Sequence, residues 1–199
     1  MTNQKTIDSV DERKATIQHY TSDMLATEKH IHEAVKRQAE DESVQQQLEA
    51  SILVSQIATV LQSHINHLEQ HNEELGGSST GLKDAVTSTL GAMAGLYDKV
   101  RSKQVSRMLR DDYTALSLAA ISYTMLHTTA LALNDRTIAD VALRNLKDIT
   151  PLITKISQII PQVVARELSE DHASLNMTSG QEATRNTQEA WSAEHTKQA

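Results

Sequence analysis

The sequence predicts an all-α protein, an antiparallel four-helix bundle, and three observations lead to this fold class. The 199 residues contain only two prolines and six glycines, so few positions can end a helix. There is no phenylalanine and aromatic residues make up 3%, whereas sheet proteins draw on aromatic side chains to cover their strands. Apolar residues also recur at alternating spacings of three and four in long stretches, which is the helical period. A chain of this length fits one domain of ordinary size.

The first half of the chain contains two predicted long helices. Residues 1–11 are polar without a period, so we expect a flexible N-terminal arm. A helical pattern then covers about residues 12–41, with an apolar stripe that includes Ile17, Met24, Ile31 and Val35. The next helix is predicted over about 42–75, with Ile57, Leu61, Leu68 and Leu75 on its stripe.

The second half begins after a cluster of breaker residues at 76–81, which predicts a loop. A short helix is expected over about 82–101, followed by the most apolar long helix over about 103–133. A fourth helix is predicted over about 136–170, with a kink or a break near Thr150 because Pro151 and Pro161 interrupt its pattern. Residues 171–199 are polar, and we expect a disordered tail.

These lengths favour a bundle over residues 12–170 that is made of two helical hairpins. Short connections near residues 41–43 and 134–136 make consecutive helices antiparallel, while residues 76–103 would form one long crossover with a short extra helix. One long crossover is typical of the ferritin-like arrangement.

Composition excludes several classes of function. No cysteine means no disulfide, thiolate metal site or cysteine nucleophile. The formal net charge of -7 argues against nucleic acid as the main partner. Because no eighteen apolar residues run together and the start lacks a leader pattern, we expect a cytoplasmic protein without a membrane span. Phosphate-loop, dinucleotide-glycine and hydrolase-elbow motifs are missing from the sequence, so we name no catalytic and no cofactor-binding residue.

Polar residues on the predicted core stripes are the candidates for chemistry. Glu28 lies midway between Met24 and Ile31, where a lone carboxylate is costly to bury unless it is paired or bound to a metal. The second helix places His64 and His71 one heptad apart on its stripe. Glu28 is either a ligand or a hydrogen-bonded carboxylate, and His71 is closer to a solvated helix end.

The third and fourth helices add further polar positions. Asp112 and Tyr123 share the third stripe, with His127 one position off it, while Asn145 lies on the fourth stripe and Asp148 beside it. Tyr123 could equally be a core filler, and the two aspartates could lie on solvated faces. Metal ligation is expected, if anywhere, at Glu28, His64, Asp112 and His127.

The segment Tyr20–Ile31, reading YTSDMLATEKHI, resembles the first helix of the small bacterial stress-associated YciF-type proteins of the ferritin-like superfamily. In that family an aspartate precedes a metal-ligating glutamate by five residues, as Asp23 precedes Glu28. The segment His64–Leu75, a short helix near Lys83 and the spacing from Tyr123 to Ala130 are similar as well. The resemblance covers about residues 18–165 and implies a ferritin-like bundle.

The sequence departs from that family at its metal ligands. A two-metal site takes a glutamate from each of two helices and Glu-x-x-His from each of the other two, yet no histidine here has a glutamate three positions before it. Val60, Leu116 and Ala119 stand where the resemblance implies carboxylates. We expect no cofactor, or at most one weakly bound divalent ion of iron, manganese or zinc.

Three functions remain open at this level. The first is a non-catalytic bundle with a degenerate metal site in a stress-associated or interaction role. The second is an oxidoreductase or an iron or manganese storage protein with a reduced ligand set, and the third is a metal-free helical adaptor. By analogy with ferritin-like bundles we expect a homo-oligomer, in the simplest case a dimer, and no nucleic-acid partner.

Overall fold

A computed structural model describes residues 2–74, 104–171, 176 and 178–192, and within these ranges every element of regular structure is a helix. The all-helical prediction is confirmed. The six helices are α1 (Thr2–Ala39), α2 (Glu42–Gln45), α3 (Leu48–Glu74), α4 (Val105–Ala132), α5 (Arg136–Asp171) and α6 (Ser179–Ser192).

The four long helices α1, α3, α4 and α5 pack side by side, and each neighbouring pair runs antiparallel. Residues early in one helix contact residues late in its neighbour. The pairs that mark this are Ser22–Asn72 and Glu28–His64 for α1 and α3, His71–Asp135 and His64–Asp148 for α3 and α5, and Ser106–Glu167 and His127–Ala139 for α4 and α5. Gln38 near the end of α1 likewise meets Asp112 near the start of α4. Consequently α3 ends at one end of the molecule and α4 begins at the opposite end.

The core between these helices is aliphatic, as the absence of phenylalanine requires. Tyr123 is its largest fully buried side chain, and the rest are mainly leucine, isoleucine, valine and alanine. Ala115, Ala119 and Ala130 on α4 are fully buried, and small side chains at such positions let neighbouring helices approach closely.

The first two predicted helices differ from the observed ones at their ends. Helix α1 begins at Thr2, so residues 2–11 of the predicted arm are helical. The predicted helix over 42–75 is divided into α2 and α3 by a turn at Gln46. Val44 and Ala50 are both fully buried, although a continuous helix would place them about 120° apart, and the turn lets both face the core.

The last two segments also differ from expectation. Helix α5 is continuous through Pro151 and Pro161, without the break expected near Thr150. Each proline leaves one backbone carbonyl without its helical donor, and on the exposed side of a helix water can bind that carbonyl instead. Residues Ser179–Ser192, expected in a disordered tail, form α6, which packs on α5. Gly180 assists this contact, since a Cβ there would lie 3.1 Å from the Cβ of Ala165.

The predicted loop at 76–81, short helix at 82–101 and crossover at 76–103 lie outside the described residues. Among the residues that are described, α4 alone is long and apolar enough to cross a membrane by length and composition. Its core face carries the buried carboxylates of Asp111 and Asp112.

The connection from α4 to α5 is built by two adjacent residues. Asn134 adopts a left-handed backbone conformation with φ of 63°. The amide of Asp135 donates to the carbonyl of Ala130 at 2.9 Å and that of Asn134 to Leu131 at 3.2 Å, the pattern of a Schellman motif. The Asp135 side chain then caps α5 by accepting from the amide of Ile138 at 3.0 Å.

This geometry predicts the effect of changing Asn134. Asn134→Ala should lower the free energy of unfolding by about 1 kcal/mol, because alanine lacks the short polar side chain that lets asparagine tolerate this conformation, whereas Asn134→Gly, which has no β-carbon, should leave it unchanged or raise it slightly. Urea unfolding measures both, with exposed Asn66→Ala in the middle of α3 as the control. An alanine variant as stable as the parent would contradict the role of this cap.

Candidate polar centre

Glu28 of α1 and His64 of α3 lie together at the centre of the molecule. Both side chains are fully buried, and His64 Nδ1 is 3.4 Å from Glu28 Oε1. Each stands on the core stripe of its helix, so folding removes both from water at once. Burial of a carboxylate without a partner is costly, and the imidazole supplies that partner.

Asp148 of α5 approaches the opposite side of the same ring. Its Oδ2 atom is 3.5 Å from His64 Nε2, and its side chain is 48% exposed. The imidazole therefore lies between a buried carboxylate and a carboxylate that reaches solvent. A neutral imidazole has a single N–H group, so it can donate to one of these carboxylates, whereas the protonated ring can donate to both.

Tyr123 of α4 closes the other side of the cluster. Its ring stands edge-on to that of His64, with centroids 5.7 Å apart. The Tyr123 hydroxyl accepts a hydrogen bond of 3.0 Å from Asn145 Nδ2. Asn145 Oδ1 lies 3.2 Å from His67 Nδ1, which places the donated proton on that nitrogen. Side chains from all four long helices thus meet in one network, which we call the polar centre: Glu28, His64, His67, Tyr123, Asn145 and Asp148.

The surroundings of Tyr123 shift the pKa of its phenol. Burial raises the pKa of its phenol well above the usual value of 10.0, and the negative charge of Glu28 raises this pKa further. The hydrogen bond from Asn145 acts in the opposite direction, because it favours the phenolate. Tyr123 therefore stays protonated as a hydrogen-bonding group at neutral pH.

The structure brings together two of the four predicted metal ligands. Asp112 is fully buried but lies about 16 Å along α4 from Tyr123, and its Oδ1 accepts from Gln38 Nε2 at 3.0 Å. His127 Nδ1 lies 2.8 Å from the carbonyl oxygen of Ala139. A role for these residues in metal binding stays a prediction.

His71, the second histidine of the α3 stripe, belongs to a separate pair of contacts. Its Nδ1 is 3.5 Å from Glu74 and its Nε2 is 3.9 Å from Asp135, near the connection from α4 to α5. It is buried and lies about 10 Å along α3 from His64.

The side-chain atoms near His64 limit how many ligands the polar centre could offer to a metal ion. Glu28 and His64 could ligate one ion together, and Glu28 Oε2 is buried without a hydrogen-bond partner of ordinary geometry. Asp148 lies at the other ring nitrogen, so it could not share the ion that Nδ1 would ligate. In the parts of the chain that the structure covers, no three histidine, aspartate or glutamate side chains come together as a metal-binding group.

The residues of the polar centre differ in how far the sequence predicts their contacts. Asn145 and Tyr123 stand on core stripes, but their hydrogen bond joins residues on different helices. Asp148 lies beside its stripe, which is the position expected of a side chain that reaches both a buried group and water. Which of these side chains contact one another depends on the register of α5 against α3 and α4.

No family model matches the chain, and neither a curated protein nor a solved structure does.

A Tyr123→Phe substitution tests the hydrogen bonding of the polar centre. It leaves the buried amide of Asn145 without its acceptor, so the free energy of unfolding should fall by about 1–3 kcal/mol. Tyr20→Phe, at a partly buried position of α1, should change it by less than about 0.5 kcal/mol. Equal effects of the two substitutions in urea unfolding would contradict a specific role for the Tyr123 hydroxyl.

The raised pKa of Tyr123 predicts a loss of stability in alkali. The folded protein holds a proton that the unfolded chain releases above about pH 10, so unfolding becomes easier as the pH rises through that region. The parent should therefore lose more unfolding free energy than Tyr123→Phe between about pH 9 and pH 11. Parallel curves for the two proteins would show that this phenol does not contribute.

Proposed function

We propose that the chain is a ferritin-like four-helix bundle whose metal site is degenerate, and that it acts without catalysis in a stress-associated or interaction role. The observation that carries this proposal is the position of His64, held in the core between Glu28 and Asp148 and against Tyr123. This arrangement uses the centre of the bundle for hydrogen bonds and charge pairing, which stabilise a particular register of the helices.

The order and directions of the long helices support the ferritin-like arrangement. Consecutive helices within each hairpin are antiparallel, and α3 ends opposite to the start of α4. A chain with these helix directions needs one long crossover between its two hairpins. One long crossover is the connection typical of ferritin-like bundles.

The residues that surround the polar centre support the loss of a two-metal site. Leu116 and Ala119 are fully buried on the core face of α4, where carboxylates are expected by resemblance. Val60 on α3 is partly buried against the core. Aliphatic groups at these positions offer no ligands to bridge two cations, and the loss of bridging carboxylates removes the geometry that oxygen chemistry requires.

A second candidate is a protein that holds one divalent ion of iron, manganese or zinc, in storage or redox chemistry. The buried Glu28 Oε2 atom without a hydrogen-bond partner favours it. Glu28 and His64 would hold that ion, and a site with two protein ligands binds weakly.

Metal analysis separates the two candidates. Protein purified without chelator should carry well under one iron, manganese or zinc per chain, and Glu28→Gln should leave this content unchanged. About one metal per chain that Glu28→Gln removes would favour the second candidate, and two per chain would contradict a degenerate site.

A double-mutant cycle tests whether Glu28 and His64 act as a pair. Glu28→Gln and His64→Asn should show a coupling free energy of about 1 kcal/mol or more, because each loses a buried partner. Lys29→Gln and Glu69→Gln form the control cycle, since their side chains are 2.6 Å apart on the same two helices but 43% and 44% exposed. That exposed pair should couple by less than about 1 kcal/mol. Additive effects at Glu28 and His64 would show that the two residues stabilise the core separately.

A further inference from the structure

A small cavity lies between α1 and α4, lined by residues that do not belong to the polar centre. Its volume is ≈ 130 Å³. The residues that line it are Tyr20, Asp23, Met24 and Thr27 of α1 and Ser122 and Met125 of α4. A cavity of about 150 Å³ in a protein can hold one benzene molecule, so this cavity is suited to a ligand of about five or six non-hydrogen atoms.

The lining of this cavity carries a negative charge. Asp23 contributes a carboxylate, and none of the six lining residues is a lysine, an arginine or a histidine. The neighbouring His19 has its Nε2 atom 3.4 Å from Asp23 Oδ2, but the His19 side chain is 67% exposed. Because this contact is open to water, it compensates the carboxylate only weakly.

One oxygen of the Asp23 carboxylate lacks a hydrogen-bond donor. Its Oδ1 atom is buried, and in the described part of the chain no group donates to it. Burial raises the pKa of the Asp23 carboxyl, although the charge of His19 lowers it. Folding therefore removes hydration from this carboxylate without replacing it fully. A cation that carries N–H groups would supply what is missing.

The two aliphatic hydroxyl groups of the lining have no proton left for a ligand. Thr27 Oγ1 donates to the carbonyl oxygen of Asp23 at 2.9 Å, and Ser122 Oγ donates to that of Leu118 at 2.9 Å. A hydroxyl group has one proton and two lone pairs, so each of these groups can only accept a further hydrogen bond. Together with the carboxylate they favour a ligand that donates.

The remaining residues of the lining are apolar or aromatic. Met24 is 2% exposed and Met125 is 52% exposed, so one methionine belongs to the core and the other borders solvent. Methionine side chains are flexible and polarisable, and they adapt to the shape of aliphatic groups. The ring of Tyr20 adds an aromatic face, which attracts cations. This lining fits a ligand with a cationic head and a short hydrocarbon chain.

We propose that the cavity binds a small primary alkylammonium ion. The ammonium group would lie at Asp23, Thr27 and Ser122, and the alkyl chain against the two methionines. A primary ammonium group has three N–H donors and no acceptor, which matches polar groups that accept. A quaternary ammonium ion has the charge without the N–H groups, and an alcohol has a donor without the charge. The proposal does not rest on the state of the polar centre.

An NMR titration of the full chain with n-butylammonium chloride tests the proposal. At pH 7 and constant chloride concentration, the amide signals of the lining residues should shift and saturate, with a dissociation constant of about 1–20 mM. Tetramethylammonium and n-butanol should bind about fivefold more weakly or worse, because each lacks half of the recognised chemistry. Potassium chloride at the same concentration should cause no saturable shift.

The same head group occurs in free amines and in the lysine side chains of other proteins. Nα-acetyl-lysine N-methylamide is the probe for the second source, since its side chain ends in a butylammonium group. Binding of this probe as tight as that of n-butylammonium would show that the cavity accepts a lysine side chain. Binding of n-butylammonium alone would restrict the ligand to free amines, and binding of neither would overturn the proposal.

Substitutions in the lining test which groups hold the ligand. Asp23→Asn should weaken n-butylammonium binding about tenfold, because the amide has no charge. Glu33→Gln, the matched control, makes the same change of charge at an exposed position about 15 Å further along α1 and should leave binding unchanged. Thr27→Val keeps the shape of the side chain and removes one acceptor. It should weaken n-butylammonium binding about threefold and leave that of tetramethylammonium unchanged.

The affinity should depend on pH through Asp23. Only the ionised carboxylate attracts the ligand, and burial raises the pKa of this group, so lowering the pH towards that pKa protonates it. Binding of n-butylammonium should therefore be about threefold weaker at about pH 4 than at pH 7, whereas the residual binding of Asp23→Asn should be the same at both.

Three results would overturn the proposal: cavity signals that do not saturate up to about 100 mM n-butylammonium, binding that Asp23→Asn leaves intact, or tetramethylammonium binding as tight as that of n-butylammonium. Circular dichroism checks that each variant remains helical. If Asp23→Asn does not fold, the comparison of the two ammonium ions on Thr27→Val decides the proposal by itself.

Discussion

The burial of Glu28 and His64 is the constraint on which the arrangement of the four long helices depends. A carboxylate in the core is stable only with a partner, and the partner here comes from another helix. Asp148 and Tyr123 stand on the other sides of this imidazole, and its buried Nε2 atom lies 3.5 Å from Asp148 Oδ2 without a hydrogen bond. Polar contacts of this kind are directional, so they favour one register where aliphatic side chains alone would accept several.

The network passes through every long helix. Glu28 lies on α1, His64 and His67 on α3, Tyr123 on α4, and Asn145 and Asp148 on α5. Each helix also contributes leucine, isoleucine, valine or alanine to the surrounding core. The aliphatic core supplies the driving force for packing, while the polar centre determines which positions face each other. The same helix α4 presents a buried polar side to this centre and an uncharged side to solvent.

The sequence predicted much of this arrangement and part of the centre. The stripes predict that Glu28 and His64 face the core, since both interrupt aliphatic runs at helical spacing. Asp112 and His127 could not be separated from them, because periodicity gives the face of a helix but not the depth at which it meets its neighbours. The helix at Ser179–Ser192 was missed because its stretch is polar and short, and its position depends on contact with α5.

The sequence by itself determined that this protein is helical, approximately where its four long helices lie, and that Glu28, His64, Tyr123 and Asn145 stand on stripes that face the core. Those properties follow from residue spacing along single helices, which local geometry fixes. Tertiary structure decided that His64 stands between Glu28 and Asp148, that Asn145 donates to Tyr123, and that Ile121 and Met125 remain exposed. Each of these depends on the register and rotation of one helix against another, to which residues far apart in the chain contribute together.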